Sequence, residues 1–97
     1  MKFKHKISRL ALKDIDSIWK FTSQNWSKAQ ANIYFKGVFK QIDLICKNPE
    51  IGKPIDEVKI GHRLVPFKSH LVIYKIGKEI VLIDRILHQR MDIGNNL

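Results

Sequence analysis

The segment EIVLIDRILHQRMD, residues 79–92, begins as a strongly apolar run and ends in a dense group of polar side chains. Its Val, Ile and Leu residues are typical of a strand that is at least half buried. Arg85, His88, Arg90 and Asp92 follow within a segment the size of a turn. Polar groups this dense beside a buried strand indicate either a partner-binding surface or a reactive site.

Two more strands precede this one, at residues 60–67 and 69–76, with the last strand at residues 79–87. Gly77 and Lys78 between them predict a two-residue turn of the glycine-first type. Counting outward from that turn pairs His70 with Arg85. We therefore expect these two side chains to share one face near the open end of the hairpin.

The first half of the chain predicts one strand and two helices. Residues 2–7 alternate as a half-buried strand does, and their lysines suit the edge of a sheet. Residues 12–22 have helical periodicity, with the helix ending near residues 24–25. Ser27-Lys28-Ala29-Gln30 has the spacing of a capping box, so a second helix begins there and ends at Asn48-Pro49. Residues 49–59 are interpreted as a connecting loop.

These elements predict a single α+β domain over residues 1–97, in the order β-α-α-β-β-β. We expect the two helices to form a hairpin that packs on an antiparallel sheet. A chain of this length is near the lower limit for a core without disulfides or metals. Since helices cover only one face of a single sheet, the opposite face should be partly open or occupied by a partner.

Charge and composition limit the possible partners and the location. Lys and Arg number 18 against nine Asp and Glu, a net charge of +9, which favours an acidic or polyanionic partner. The one cysteine, Cys46, lies in an apolar helical pattern and is interpreted as a core residue in a reducing cytosol. The chain has neither a signal-peptide pattern nor a membrane-spanning apolar run, so we expect a cytoplasmic protein without a membrane partner.

The sequence offers few patterns typical of catalysis. The four histidines lack zinc-like spacing and the glycines are scattered, so we expect no metal and no other cofactor. A nuclease remains possible, in which Arg63 and Arg85 stabilise a phosphorane while His88 or His70 transfers protons. The same residues could instead be structural, with Arg85 in an ion pair, His70 at the core edge and His88 at the strand end. This structural reading is favoured over catalysis.

Six motifs in this order are characteristic of one family. They are Ala11-x-x-Asp14-Ile15, Trp26-x-x-x-Gln30-Ala31-x-x-Tyr34, Asn48-Pro49-x-x-Gly52, Gly61-His62-Arg63, Ser69-His70-x-x-x-Tyr74 and Arg85-Ile86-Leu87-His88-x-x-Met91-Asp92. With them the sequence resembles the ParE toxins of the RelE/ParE superfamily of type II toxin–antitoxin systems. The resemblance implies the fold expected above, a helical hairpin on an antiparallel sheet.

The resemblance also implies a function and partners. ParE-like toxins inhibit growth by blocking DNA gyrase and stalling the gyrase–DNA complex. A cognate acidic antitoxin, ParD-like or similar, would neutralise the toxin by wrapping it with an otherwise disordered segment, and operator DNA would be contacted only through that antitoxin. The candidate residues for binding the target or partner are Arg63, His70, Arg85, His88, Arg90, Met91 and Asp92.

RelE-like relatives instead cleave mRNA on the ribosome, and this alternative would use Arg63, Arg85 and His88. No Tyr or Phe follows His88, and the loop at residues 49–59 offers only Glu50 and Glu57 as glutamate bases. These departures favour a toxin that binds over one that cleaves. We expect Arg85 substitutions to harm folding as well as toxicity, and changes from residue 91 onward to affect toxicity with little loss of stability.

Overall fold

The computed structural model describes residues 2–97. The six predicted elements occur in the predicted order, and a short strand, Lys53–Pro54, and a C-terminal helix, Ile93–Asn96, are present in addition. The strands and helices are β1 Lys4–Ile7, α1 Arg9–Asn25, α2 Lys28–Lys47, a 3₁₀ turn Pro49–Ile51, β2 Lys53–Pro54, β3 His62–Phe67, β4 His70–Ile76, β5 Ile80–His88 and α3 Ile93–Asn96. The predicted α+β class, with a helical hairpin on a sheet, is confirmed. Among the described helices, none is long and apolar enough to cross a membrane.

The five strands form one sheet in the order β1-β5-β4-β3-β2. The predicted antiparallel arrangement holds from β2 to β5, because the pairs β2–β3, β3–β4 and β4–β5 are all antiparallel. β1 is the exception, because it lies at the edge and pairs in parallel with β5. Parallel neighbours need a long crossover, and here the helical hairpin and three strands supply it. The predicted edge position of the first strand is confirmed, and its Lys4 and Lys6 are exposed.

A serine side chain caps the N-terminus of each long helix. Ser8 accepts a hydrogen bond from the Ala11 backbone N–H at 3.0 Å, and Ser27 accepts one from the Gln30 backbone N–H at 3.0 Å. The second of these is the cap that the sequence predicts. α2 ends at Lys47, just before the Asn48-Pro49 pair, as expected from the missing N–H of proline.

The core lies between the helical hairpin and one face of the sheet. Its buried residues are Ala11, Ile15, Val38, Ile42, Ile45, Cys46, Val65, Val72, Tyr74, Val81, Ile83 and Ile86. Cys46 is 1% exposed, which confirms it as a core residue. Ile55, Ile73 and Leu87 form a second cluster on the opposite face, against which Ile93 and Leu97 of the C-terminal segment pack. The chain's own C-terminal segment therefore covers part of the face that was expected to be open.

The predicted register of the β4–β5 hairpin is wrong. Ile76 pairs with Val81, residues 77–79 connect the strands, and the Gly77 N–H donates to the Ile80 carbonyl oxygen at 2.7 Å. Glu79 within this connection has a φ of 57°. Farther along, a bulge leaves Asp84 without a partner on β4. As a result His70 pairs with His88, and Arg85 lies opposite Ile73.

The segment predicted as a loop at residues 49–59 contains the 3₁₀ turn and the short strand β2. Tyr74 holds this segment in place, because its hydroxyl donates to the Pro49 carbonyl oxygen at 2.6 Å and accepts from the Gly52 N–H at 2.8 Å. A Cβ atom at residue 52 would collide with the Tyr74 ring, so glycine is required there.

Candidate functional site

Asp14 of α1 caps the exposed edge of β5 where β1 has ended. Its Oδ2 atom accepts a hydrogen bond from the Ile86 backbone N–H at 2.9 Å. Arg85 binds the same carboxylate through two atoms, Nε to Oδ2 at 2.8 Å and Nη2 to Oδ1 at 3.0 Å. The two side chains are 15% and 16% exposed, so this forked ion pair is largely removed from water. Asp14 thereby fixes the end of β5 against α1.

The third contact of Arg85 reaches the C-terminal segment. Its Nη1 atom donates to the Asn96 carbonyl oxygen at 2.8 Å. The hydrogen bond that Arg85 donates to Asp14 raises the pKa of Arg85, and burial opposes this shift. Arg85 thus connects α1, β5 and α3, with three of its five N–H groups bound internally and its side chain 16% exposed.

Arg63 lies in a different part of the molecule and is also bound internally. Its Nη1 atom donates to the carbonyl oxygens of Gly52 at 2.8 Å and Glu50 at 3.2 Å. This side chain, opposite Tyr74 on β4, holds the segment that precedes β3. The nuclease alternative requires Arg63, Arg85 and His88 to act together. In the structure these three side chains contact three separate parts of the chain.

His70 and His88 form a pair at the end of the β4–β5 hairpin. Their ring centroids are 5.3 Å apart and the rings are nearly perpendicular. The Nδ1 atom of His70 lies 2.6 Å from the Tyr34 hydroxyl on α2, and the Nδ1 atom of His88 accepts from the Arg90 backbone N–H at 3.1 Å. Burial, followed by the neighbouring His88, lowers the pKa of His70, while Asp14 opposes the shift. His70 is therefore mainly neutral near pH 7.

The pair faces a cavity of about 670 Å³ between the helical hairpin and this end of the sheet. We call it the hairpin cavity, and its lining includes Ile18, Phe21, Trp26, Tyr34, His70 and His88. Phe21 and Trp26, at the end of α1 and in the turn that follows, are 64% and 76% exposed. Among the described residues, no Asp or Glu side chain lines the cavity. Its surface is mainly apolar, with polar side chains at one side.

The turn after β5 carries the remaining candidate residues. Arg90 and Met91 are exposed. Asp92 begins α3, with its Oδ1 atom accepting from the Gly94 N–H at 3.0 Å and its Oδ2 atom from the Asn95 amide at 2.8 Å. Of the seven candidates, His70 and His88 lie together at the cavity and Arg90 to Asp92 on the adjoining surface. Arg63 and Arg85 are internal supports.

A second cavity of about 370 Å³ adjoins the bulge in β5. Asp84, the bulged residue, lies there with its Oδ2 atom 3.2 Å from His62 Nε2 and 3.5 Å from Lys59 Nζ. Lys6 and Lys75 also line this cavity. This basic cluster could not be predicted from the sequence, because the bulge brings Asp84 to His62 and nothing in the apolar pattern of β5 indicates a bulge.

Phe21 and Tyr34 were likewise not predicted as site residues. Trp26 and Tyr34 belong to one of the sequence motifs, and this membership was the only feature of the sequence that could have identified them as site residues. Phe21 follows the helical pattern without any distinguishing feature, and its exposure becomes evident only when the hairpin is placed on the sheet.

Comparisons with known proteins give a consistent result. Residues 6–93 match the family described as the ParE toxin of type II toxin–antitoxin system, parDE. The chain is 34% identical to Toxin ParE1 of Caulobacter vibrioides over 91% of both chains, and 34% identical to Toxin ParE1 of Mycobacterium tuberculosis over the whole of both. A solved structure described as the chromosomal ParDE TA system from P. aeruginosa matches with a TM-score of 0.78 and 16% identity, over 90% of this chain and 96% of that one. The last match shows a shared fold.

Proposed function

This chain belongs to the ParE toxin family of type II toxin–antitoxin systems, and on that basis we propose that it inhibits growth by binding DNA gyrase and stalling the gyrase–DNA complex. The observation that carries the proposal is the family match over residues 6–93, which includes the terminal motif from Arg85 to Asp92. The target follows from the resemblance to gyrase-blocking ParE toxins. The protein would act in the cytoplasm, where gyrase is found.

The hydrogen bonding of the arginines supports a toxin that binds over one that cleaves. A nuclease needs cationic groups free to stabilise the charge that develops on a phosphate in the transition state. Arg85 is committed to Asp14 and to the C-terminal segment, and Arg63 to two backbone carbonyl groups. Freeing the Arg85 guanidinium would leave the largely buried Asp14 carboxylate without its cation, at a cost of about 1–3 kcal/mol.

We propose an acidic antitoxin, ParD-like or similar, as the second partner. The net charge of +9 would attract an acidic chain, and the large apolar side chains left exposed on the helical hairpin would anchor it. The solved structure that shares this fold comes from a ParDE system, which also supports an antitoxin partner. Operator DNA would be reached only through the antitoxin.

Induced expression in a bacterial host tests the target. The proposal expects growth arrest accompanied by double-strand breaks that depend on gyrase, with arrest relieved by co-expression of the antitoxin. Ribosome-dependent mRNA cleavage is the competing activity. New mRNA cuts by primer extension, without gyrase-linked breaks, would replace the proposal with the nuclease alternative.

A further inference from the structure

The face of the sheet that points away from the helical hairpin carries a row of basic side chains. In this row Lys6 pairs with Leu82, Leu82 with Lys75, and Lys75 with His62. Directly paired residues lie on the same face of a sheet, and Leu82 alternates with Ile83, which belongs to the core under the helices. Neighbouring strands are about 4.8 Å apart, so the backbones that carry the two lysines are about 10 Å apart.

Asp84 and Lys59 complete the basic cluster beside this row. The Asp84 Oδ2 atom lies 3.2 Å from His62 Nε2 and 3.5 Å from Lys59 Nζ, and the His62 side chain is 5% exposed. Within residues 2–97, Lys6 and Lys75 are exposed and have no ion-pair partner. Three lysines and one carboxylate line the cavity, so the cluster has an excess of positive charge that the fold leaves available for an anion.

Two more lysines extend the basic face to both edges of the sheet. Lys4 precedes Lys6 by two positions on β1 and therefore points to the same side. Lys53 of β2 pairs with Leu64, which follows His62 by two positions on β3, and it also points to that side. Both lysines are exposed. The basic face therefore extends from β1 at one edge of the sheet to β2 at the other.

The lining of the cavity favours a phosphate backbone over a peptide or a membrane. Peptide anchors and membrane-inserting surfaces need exposed apolar side chains. Here Ile83 is buried and Leu82 is half-buried, and the described lining includes no exposed large apolar residue. A phosphate backbone needs several separate cations instead, and a row of about 10 Å spans about three phosphates of one DNA strand.

We propose that this face binds the phosphate backbone of duplex DNA, with Lys6 and Lys75 contacting phosphates on either side of Leu82. Lys59 supplies a further cation, and Asp84 holds Lys59 in position while limiting the affinity, because a carboxylate repels a phosphate. The biological setting of this inference rests on the proposed function, since the gyrase–DNA complex would supply the DNA. Backbone contacts read no base sequence, so this face would not select an operator.

Fluorescence anisotropy of the full chain with a labelled duplex tests DNA binding in the absence of gyrase. We expect a dissociation constant of about 1–100 µM near physiological salt, as for binding that depends on the backbone alone. The titration is repeated from about 50 to about 200 mM NaCl, because the logarithm of the binding constant falls with the logarithm of the salt concentration by about 0.9 for each phosphate contacted.

A double variant tests the two free lysines. Lys6→Gln combined with Lys75→Gln loses two phosphate contacts, so the salt slope should become shallower by about 1.8. Lys36→Gln combined with Lys40→Gln removes the same charge from exposed positions of α2, on the other side of the sheet, and should keep the slope of the wild type. Urea unfolding of both variants verifies that each is folded.

Asp84→Asn tests the same site in the opposite direction. Asparagine keeps an acceptor oxygen for His62 and removes the charge that repels phosphate. The variant should bind the duplex about fivefold more tightly at low salt, the effect of removing one charge repulsion at about 4 Å in water. A purely structural role for Asp84 would give no such gain.

Five results would overturn the inference. These are no DNA binding, equal salt slopes for the two double variants, no gain in affinity for folded Asp84→Asn, displacement of the duplex by polyglutamate at equal charge concentration, or tighter binding to phosphatidylserine vesicles than to the duplex. Failure here is distinguishable from failure of the proposed function. Gyrase inhibition without DNA binding by this face would remove only the DNA site, and DNA binding without gyrase inhibition would remove only the target.

Discussion

Asp14 is the residue on which the end of β5 depends most. Its carboxylate accepts hydrogen bonds from Arg85 Nε, Arg85 Nη2 and the Ile86 N–H, and thereby replaces the strand partner that β5 loses beyond Ile83. In the sequence, Asp14 belongs to the motif Ala11-x-x-Asp14-Ile15, but the motif indicates no role for its carboxylate. The folded chain shows that role and contrasts it with Asp16, two residues away, which forms an exposed i,i+4 ion pair with Lys20.

Substituting Asp14 by alanine should strongly destabilise the fold. The change leaves the Arg85 guanidinium and the Ile86 N–H without their acceptor, and breaking a largely buried ion pair costs about 2–4 kcal/mol. The free energy of unfolding from urea titration measures it. Asp16→Ala is the matched control and should change stability by less than about 0.5 kcal/mol. Equal losses for the two variants would contradict the role assigned to Asp14.

His70 should make the stability of the protein depend on pH. Burial, followed by His88, lowers its pKa in the folded state, so below its ordinary pKa the unfolded chain takes up a proton more readily than the folded one. The stabilisation is therefore present above about pH 6.5 and is lost as the pH falls from there toward the lowered folded pKa. Tyr34, His88 and Asp14 are the titratable groups around it.

Substituting His70 by asparagine tests this expectation, because asparagine keeps an acceptor for the Tyr34 hydroxyl but does not titrate. The free energy of unfolding is measured at about pH 7.5 and about pH 5.5, where most carboxylates stay ionised. The wild type should lose more stability between these values than His70→Asn does. An equal loss in both would mean that other groups determine the pH dependence.

At the scale of elements, α3 has a role that its sequence does not indicate. The segment was expected to matter for toxicity and little for stability. In the structure Ile93 and Leu97 pack against Ile55, Ile73 and Leu87, and the Asn96 carbonyl oxygen binds Arg85. The C-terminal segment therefore closes part of the second sheet face.

Met91 and Ile93 should consequently behave differently when replaced by alanine. Ile93→Ala removes part of a packed cluster and should lower the free energy of unfolding by about 1 kcal/mol. Met91→Ala, at a side chain that is 41% exposed, should change it by less than about 0.5 kcal/mol. Thermal or urea unfolding of both variants measures the difference. Equal stability of the two would show that the segment is not part of the core.

The elements that depend on nearby residues could be predicted from the sequence, whereas those that depend on long-range contacts could not. The helices followed from caps, periodicity and a proline, all of which act within a few residues, and both helix ends were predicted closely. The register of the β4–β5 hairpin could not be predicted in this way, because Glu79 rather than a glycine has the positive φ in the connection. The bulge at Asp84, in turn, lies beside the distant residues Lys59 and His62. That error separated His70 from His88, its actual partner, in the predicted site. The cavity beside them requires the hairpin and the sheet to be placed together, which no local pattern determines.

At the scale of the whole molecule, the helical hairpin and the histidine-bearing strands β4 and β5 form one surface, whereas Arg63 and Arg85 lie outside it and support the fold. Arg85 fixes the strand end and the C-terminal segment, and Arg63 fixes the segment before β3. The residues free to contact a target are then His70, His88, Arg90 and Met91, together with Phe21 and Trp26. This division between internal and available residues favours a toxin that acts by binding.

The most direct test of that account is a reaction of purified protein with DNA gyrase and relaxed plasmid, in the presence of ATP. The account predicts that the protein inhibits supercoiling and that detergent and protease treatment of the stalled gyrase–DNA complex releases linear plasmid. Asp16→Ala, which alters only an exposed ion pair, should act as the wild type does. Unchanged supercoiling with no linear plasmid, at protein concentrations well above that of gyrase, would contradict the central claim.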